Sequence, residues 1–167
     1  MRIHIGSTSH EYKLSKALLC KQSPYFAATF EGRFQEGEEQ STTLTEIDDV
    51  VSIRSFELLV QWLYLGRVKF GALAPEDAIT ATIEFVRFAD MCGVTGMELL
   101  MADRILAIII ANPAPSSGML KTRSPGTNTH CLTSHHIKSA ASLPEGHPVR
   151  NMLAMAAVEG FLRHDNY

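Results

Sequence analysis

The sequence predicts an α+β fold in which a small sheet is capped by helices. Three observations carry this. The N-terminus alternates apolar and polar residues with period two, the middle of the chain carries a clean 3.6-residue apolar stripe, and beyond residue 79 only helical patterns remain. Length and composition agree: 167 residues with 46% hydrophobic and 20% charged side chains suit a folded globular chain.

The opening reads as a β-hairpin. Ile3 and Ile5 alternate with Arg2 and His4, Gly6-Ser7-Thr8-Ser9 turns the chain, and Tyr12 and Leu14 alternate again. Ser15 has the chemistry of a helix N-cap before Lys16–Cys20. A second helix is expected from Ser23 as cap and Pro24 as first helical residue, where a missing N–H does no harm, through Phe30 to a stop near Gly32. The acidic segment 31–40, with Phe34 as its only large apolar side chain, reads as a surface loop, and Ser41–Leu44 as a short β-branched strand.

Phe56, Leu59, Val60, Leu63 and Tyr64 fall at i, i+3, i+4, i+7 and i+8, the buried face of a helix running from Ser52 to Leu65 and ended by Gly66. Val68 and Phe70 then alternate as one more short strand. Residues 79–92 are helical in pattern but apolar on nearly all sides, which predicts a deeply buried helix closed by Gly93. Thr95 is read as the cap of the next helix, with Leu99, Ala102, Leu106 and Ile109 facing the core. Residues 112–130 are rich in Pro, Ser and Gly and read as a flexible loop. Two further helices are expected, Thr133–Leu143 and Pro148 to about Arg163, the second carrying Val149, Leu153, Ala156 and Ala157.

Composition excludes several function classes. The three cysteines, Cys20, Cys92 and Cys131, form no C-x-x-C pair and leave one over in any disulfide scheme, so they read as buried or free thiols in a reducing compartment. The polar first ten residues cannot be a signal peptide core, and the most hydrophobic run, Ile105–Ala111, is far short of the ~20 apolar residues that span a bilayer. A soluble chain is expected, in the cytoplasm, the nucleus or both. Net charge is −5 over residues 1–111 and +3 over 112–150, with no basic stripe interleaved with aromatics, so direct nucleic-acid binding is not expected.

No catalytic or metal chemistry stands out. The sequence has no nucleophile elbow, phosphate-cradling loop or H-E-x-x-H motif. Glu36, Glu38 and Glu39 sit in a polar segment where nothing would tune them for acid–base work. His130-Cys131 and His135-His136 match no standard zinc spacing; adjacent helical histidines point about 100° apart, and both read as surface residues near a helix start. The methionines, Met152 and Met155 among them, read as core filler. No enzyme activity, cofactor or metal is expected.

Four segments, taken in order, resemble a known family. The run Tyr12-Lys13-Leu14-Ser15-Lys16-Ala17-Leu18-Leu19-Cys20-Lys21-Gln22-Ser23-Pro24-Tyr25-Phe26 is similar to the signature of the BTB/POZ domain. Ser55–Gly66 resembles that family's helix ending in aromatic-x-Gly, and Phe88–Val94 its Ala-Asp helix end. Leu143-Pro144-Glu145-Gly146-His147-Pro148-Val149-Arg150 resembles an extension found in many fungal BTB proteins. The resemblance implies a BTB/POZ core over residues 1–111, the loop 112–130, and a C-terminal helical extension over 131–167, of the fungal type.

What the resemblance implies for function is protein–protein interaction without catalysis. Many members dimerise, and many bind a cullin scaffold as substrate adaptors of a ubiquitin ligase, through an apolar-x-Glu motif in the loop after the second helix. Phe34-Gln35-Glu36 matches that motif, so the contact role is carried to Phe34 and Glu36. An aromatic anchor in a polar rim is also how interface hot spots are built. Glu57 and Gln61, off the core stripe of the Ser52–Leu65 helix, join the candidate patch. The chain begins at the first hairpin strand, without the helix and strand through which family members swap domains, and Ser15 stands where they carry a buried His. The usual swapped dimer is therefore not expected. The alternative is a homo-oligomeric scaffold with no ubiquitin-ligase role, its interface an uncovered apolar face such as one on the last helices.

Overall fold

Ile3 and Ile5 point to one face of strand β1 (Arg2–Ile5) and are fully buried, which fixes the register of the sheet. In the computed structural model, which describes residues 1–6, 11–112 and 131–162, β1 is the central strand of the order β2-β1-β3. Strand β2 (Glu11–Lys13) runs antiparallel to it, with Ile3 opposite Tyr12, and β3 (Ser41–Leu44) runs parallel, with Ile3 opposite Thr42. Residues 7–10, 113–130 and 163–167, on which the expected turn, most of the expected loop and the expected helix end at Arg163 fall, lie outside the described residues.

The chain divides into two units. The first comprises residues 1–70 and 84–95. Here α1 (Lys16–Gln22) begins at Ser15, whose side chain accepts from Leu18 N–H, and α2 (Pro24–Glu31) begins at Ser23, whose side chain accepts from Phe26 N–H. Helix α4 (Ile53–Leu65) starts with a capping box between Ser52 and Ser55 and ends at Gly66, whose φ of 63° suits a residue without Cβ. Phe56, Leu59 and Leu63 are buried as their spacing requires, while Tyr64 at the edge of the stripe is exposed and accepts Ser15 N–H through its hydroxyl at 2.8 Å. The aromatic core continues from Tyr12 to Phe56 (centroids 4.8 Å apart) and on to Phe88 (6.3 Å).

Two expectations fail in this unit. Segment 31–40 is not all loop: Gln35–Glu39 forms a short helix, α3. Glu36 and Glu38 in its first turn complement the helix dipole, and Gln35 Nε2 donates to Glu39 Oε1 at 2.7 Å one turn on. Its N-cap is Phe34, which makes no side-chain cap, so the usual start signal is missing. Val68–Phe70 is not a strand either. Lys69 N–H donates to Gln61 Oε1 and the Phe70 ring packs edge-on against Phe85, so this segment is satisfied by a side chain and an aromatic contact instead of a ladder.

The second unit comprises residues 71–83 and 96–167. Helix α5 (Pro75–Met91) supplies residues to both units; it starts four residues before the apolar pattern does, because Pro75 suits a first turn and Glu76 and Asp77 favour a helix N-terminus. Its interior is buried on most sides, with Thr80, Glu84 and Arg87 half-buried along one side. Helix α6 (Glu98–Ala111) is capped by Met97, not Thr95, and Glu98 accepts Gly96 N–H in place of a hydroxyl cap. The buried face of α6 is Met101, Ala102 and Ile105; Leu99 is 70% exposed and Leu106 is also exposed, which corrects the expected stripe. A helix with Leu, Ile or Met at nearly every turn gives no unique period, and packing against α8 picks the face. Helices α7 (Ser134–Ala141) and α8 (Pro148–Leu162) pack on each other; Val149 and Leu153 are buried, but Met155 is exposed and is not core filler.

Candidate protein-interaction surface

The end of α2 and the start of α3 set Phe34 on the surface. Gly32 caps α2 in an extended conformation, and Phe34, also extended, turns the chain into α3. The Phe34 side chain is 67% exposed, and Glu36, half-buried, lies two residues further along the same turn. A phenyl ring left in water forgoes a burial worth roughly 1.5–3 kcal/mol. A partner pocket that covers it recovers that energy. Glu31, Arg33, Glu38 and Glu39 are exposed in the same segment, so the ring sits in a charged, solvated stretch of chain.

Glu57 and Gln61 occupy α4 one turn apart, and both are engaged within the unit. Tyr12 Oη donates to Glu57 Oε1 at 3.0 Å. Burial, then this hydrogen bond and the carboxylate charge, push the Tyr12 hydroxyl up to about 12. Gln61 Oε1 accepts Lys69 N–H at 3.0 Å. The two pairs stand on separate elements: α1 packs on both α2 and α4, and α2 packs on α3. Leu65, 63% exposed at the end of α4, and exposed Ile47 also belong to this unit's apolar surface. Neither carried a sequence signal, since an apolar residue at a helix end or in a loop is equally compatible with burial.

Candidates for chemistry do not assemble. Among the described residues no group of three His, Cys, Asp or Glu side chains is placed to hold a metal ion. His135 is exposed, but His136 is buried, correcting its reading as a surface residue. His136 Nδ1 accepts Thr133 N–H at 3.1 Å and Nε2 meets Thr80 Oγ1 at 2.9 Å, so the imidazole caps α7 and ties it to α5. His130 lies outside the described residues. Burial pushes the Cys92 thiol up to about 12, far from the thiolate a nucleophile needs. No helix among the described residues is long and apolar enough to cross a membrane.

A small sheet with helices on it, the Ser-Pro start of α2 and the buried aromatic stripe of α4 accompany a match of residues 1–94 to the BTB/POZ domain family. The chain belongs to the BTB/POZ domain family. It is therefore a protein–protein interaction module. A human relative, Kelch repeat and BTB domain-containing protein 6, is 30% identical over 86 residues, which cover 49% of this chain and 12% of the relative. The BTB/POZ chain thus matches only a small part of that relative's length.

Proposed function

We propose that this BTB/POZ chain docks a cullin scaffold through Phe34 and Glu36, with Glu57 and Gln61 on α4 as flanking contacts, and serves as a ubiquitin-ligase adaptor without catalytic activity. The observation that carries the reading is the exposure of Phe34 on a turn in a charged segment, in a chain that belongs to an interaction family. The combination of a BTB domain with kelch repeats in the human relative's name supports an adaptor role. We assign the chain to the fungal type of the family, found in the cytoplasm, the nucleus or both. The reading rests on the Leu143–Arg150 segment, which forms a self-bonded turn between α7 and α8: Arg150 donates to Leu143 O at 2.9 Å and Val149 N–H to His147 Nδ1 at 3.2 Å.

Binding of the full chain to a cullin N-terminal domain, beside a Phe34→Ala, Glu36→Ala variant, tests this. Tight binding lost in a variant that stays folded is expected; no binding by the wild-type chain at tens of micromolar sinks the adaptor role. The second reading is a homo-oligomeric scaffold. It is favoured by the exposed Leu99, Leu106 and Ile110, which recur at i, i+7 and i+11 along one side of α6. A monomeric mass by light scattering at high concentration would remove it.

A further inference from the structure

The turn that presents Phe34 is fixed by residues that are not themselves its exposed surface. Lys16 Nζ donates to Phe30 O at 2.7 Å, and Gln40 Nε2 donates to the same carbonyl at 3.4 Å and to Gly37 O. The last turn of α2 is thus gripped both from α1 and from the residue that ends α3. Gly37 and Glu38 N–H both donate to Phe34 O, at 3.0 and 3.3 Å, which pins the backbone of the aromatic residue itself. Two glycines let these strands of chain approach. A Cβ on Gly32 would stand 2.5 Å from Ala28 O and 3.0 Å from the Phe34 ring, and a Cβ on Gly37 would stand 2.5 Å from Gly32 O. Gln40 holds a left-handed backbone, φ 51°, that side-chain-bearing residues seldom adopt. Residues in such conformations persist where their surroundings over-determine them.

We infer that Lys16, Gly32, Gly37 and Gln40 are positioning residues that hold Phe34 as a preformed knob, shaped for an apolar pocket in the partner. The inference rests on the docking role proposed above and adds the mechanism by which it is made efficient. A turn already fixed before encounter spares the complex the ordering of a loop, so the clamp contributes to affinity without touching the partner.

The test uses the full chain with two substitutions that avoid new clashes. Gln40→Gly keeps the left-handed backbone and removes the amide, and Lys16→Met keeps the aliphatic stem and removes the ammonium. Two quantities are read: amide exchange of Gly37 and Glu38 by NMR, and affinity for a cullin N-terminal domain. In the double variant, exchange at these two amides is expected to rise about tenfold or more while Phe56 and Leu59 keep their protection. Affinity is expected to fall on the order of tenfold. Unchanged exchange overturns the inference, and so does faster exchange with undiminished affinity. A wild-type chain that does not bind overturns the docking role itself, and is told apart because it needs no substitution. If the double variant melts early, Gln40→Gly alone decides on the same two readouts.

Discussion

Ser23 Oγ donates a hydrogen bond to the main-chain oxygen of Cys92 over 2.6 Å, joining residues 69 positions apart while the same oxygen atom caps α2 by accepting Phe26 N–H. The side chain is fully buried, and Pro24, the next residue, packs where a Cβ on Gly93 would stand 3.0 Å away. One hydroxyl therefore closes the end of α5 onto the start of α2.

Ser23→Ala should be among the most damaging single-atom deletions in the chain. It removes a cap worth about 1 kcal/mol and leaves a buried carbonyl without this donor at a further 1–3 kcal/mol. Chemical denaturation should show a loss of about 2–4 kcal/mol with an unchanged m-value; a loss under about 0.5 kcal/mol would mean that water replaces the hydroxyl.

Acid should destabilise the second unit through His136. Burial lowers its pKa, an effect that nearby His135 reinforces and Glu76 opposes. The unfolded chain then binds the proton more readily than the folded one. The stabilising contribution is thus full above the ordinary histidine value of about 6.5 and is lost as pH falls below it. Protonating Nδ1 also breaks its bond from Thr133 N–H. Thermal midpoints between pH 7.5 and 5 should fall for the wild type and fall less for His136→Phe, from a lower starting point. Equal slopes would place the acid sensitivity elsewhere.

Tyr12 should titrate abnormally high, through burial first and the bond to Glu57 second. In Glu57→Ala the hydroxyl should move from about 12 back toward 10, visible in the phenolate absorbance. The raised value means that the folded form holds its proton longer, so this contribution to stability is present below about 10 and is lost as pH rises toward 12. A titration curve unchanged by the substitution would show that burial alone sets the shift.

The two sides of α6 should respond in opposite ways. Ile105→Ala, at a fully buried position, should cost about 3 kcal/mol, whereas Leu99→Ala and Ile110→Ala should each stay within about 0.5 kcal/mol. A large loss at Leu99 or Ile110 in dilute solution would indicate that this side is covered in the native protein.

Much of the fold was legible where a signal had a single physical meaning. Ser23-Pro24 can only start a helix well, Gly66 and Gly93 sit at the positive φ that ends one, and Phe56, Leu59 and Leu63 leave one choice of face. The α6 face was not legible, because Leu99, Leu100, Met101, Leu106 and Ile110 offer several equivalent stripes and tertiary packing chose among them. Helix α3 was hidden because Phe34 caps it without a hydrogen bond and Gly37 interrupts it. At the candidate surface, Phe34 and Glu36 were readable as a motif. The bond from Lys69 N–H to Gln61 and the grip of Lys16 and Gln40 on Phe30 O were not, since they depend on distances between elements that no local pattern encodes.

Gln40 serves two masters. Its carbonyl accepts Arg2 N–H at 2.9 Å where β3 joins β1, and its side chain holds the turn before α3. Parallel pairing of β1 with β3 requires the chain between them to close a long loop, which is entropically costly. One residue thereby joins the sheet edge to the turn that carries the aromatic. Under the docking role proposed above, loss of the β1–β3 pairing would free the Gln40 backbone and with it one of the holds on the Phe34 turn.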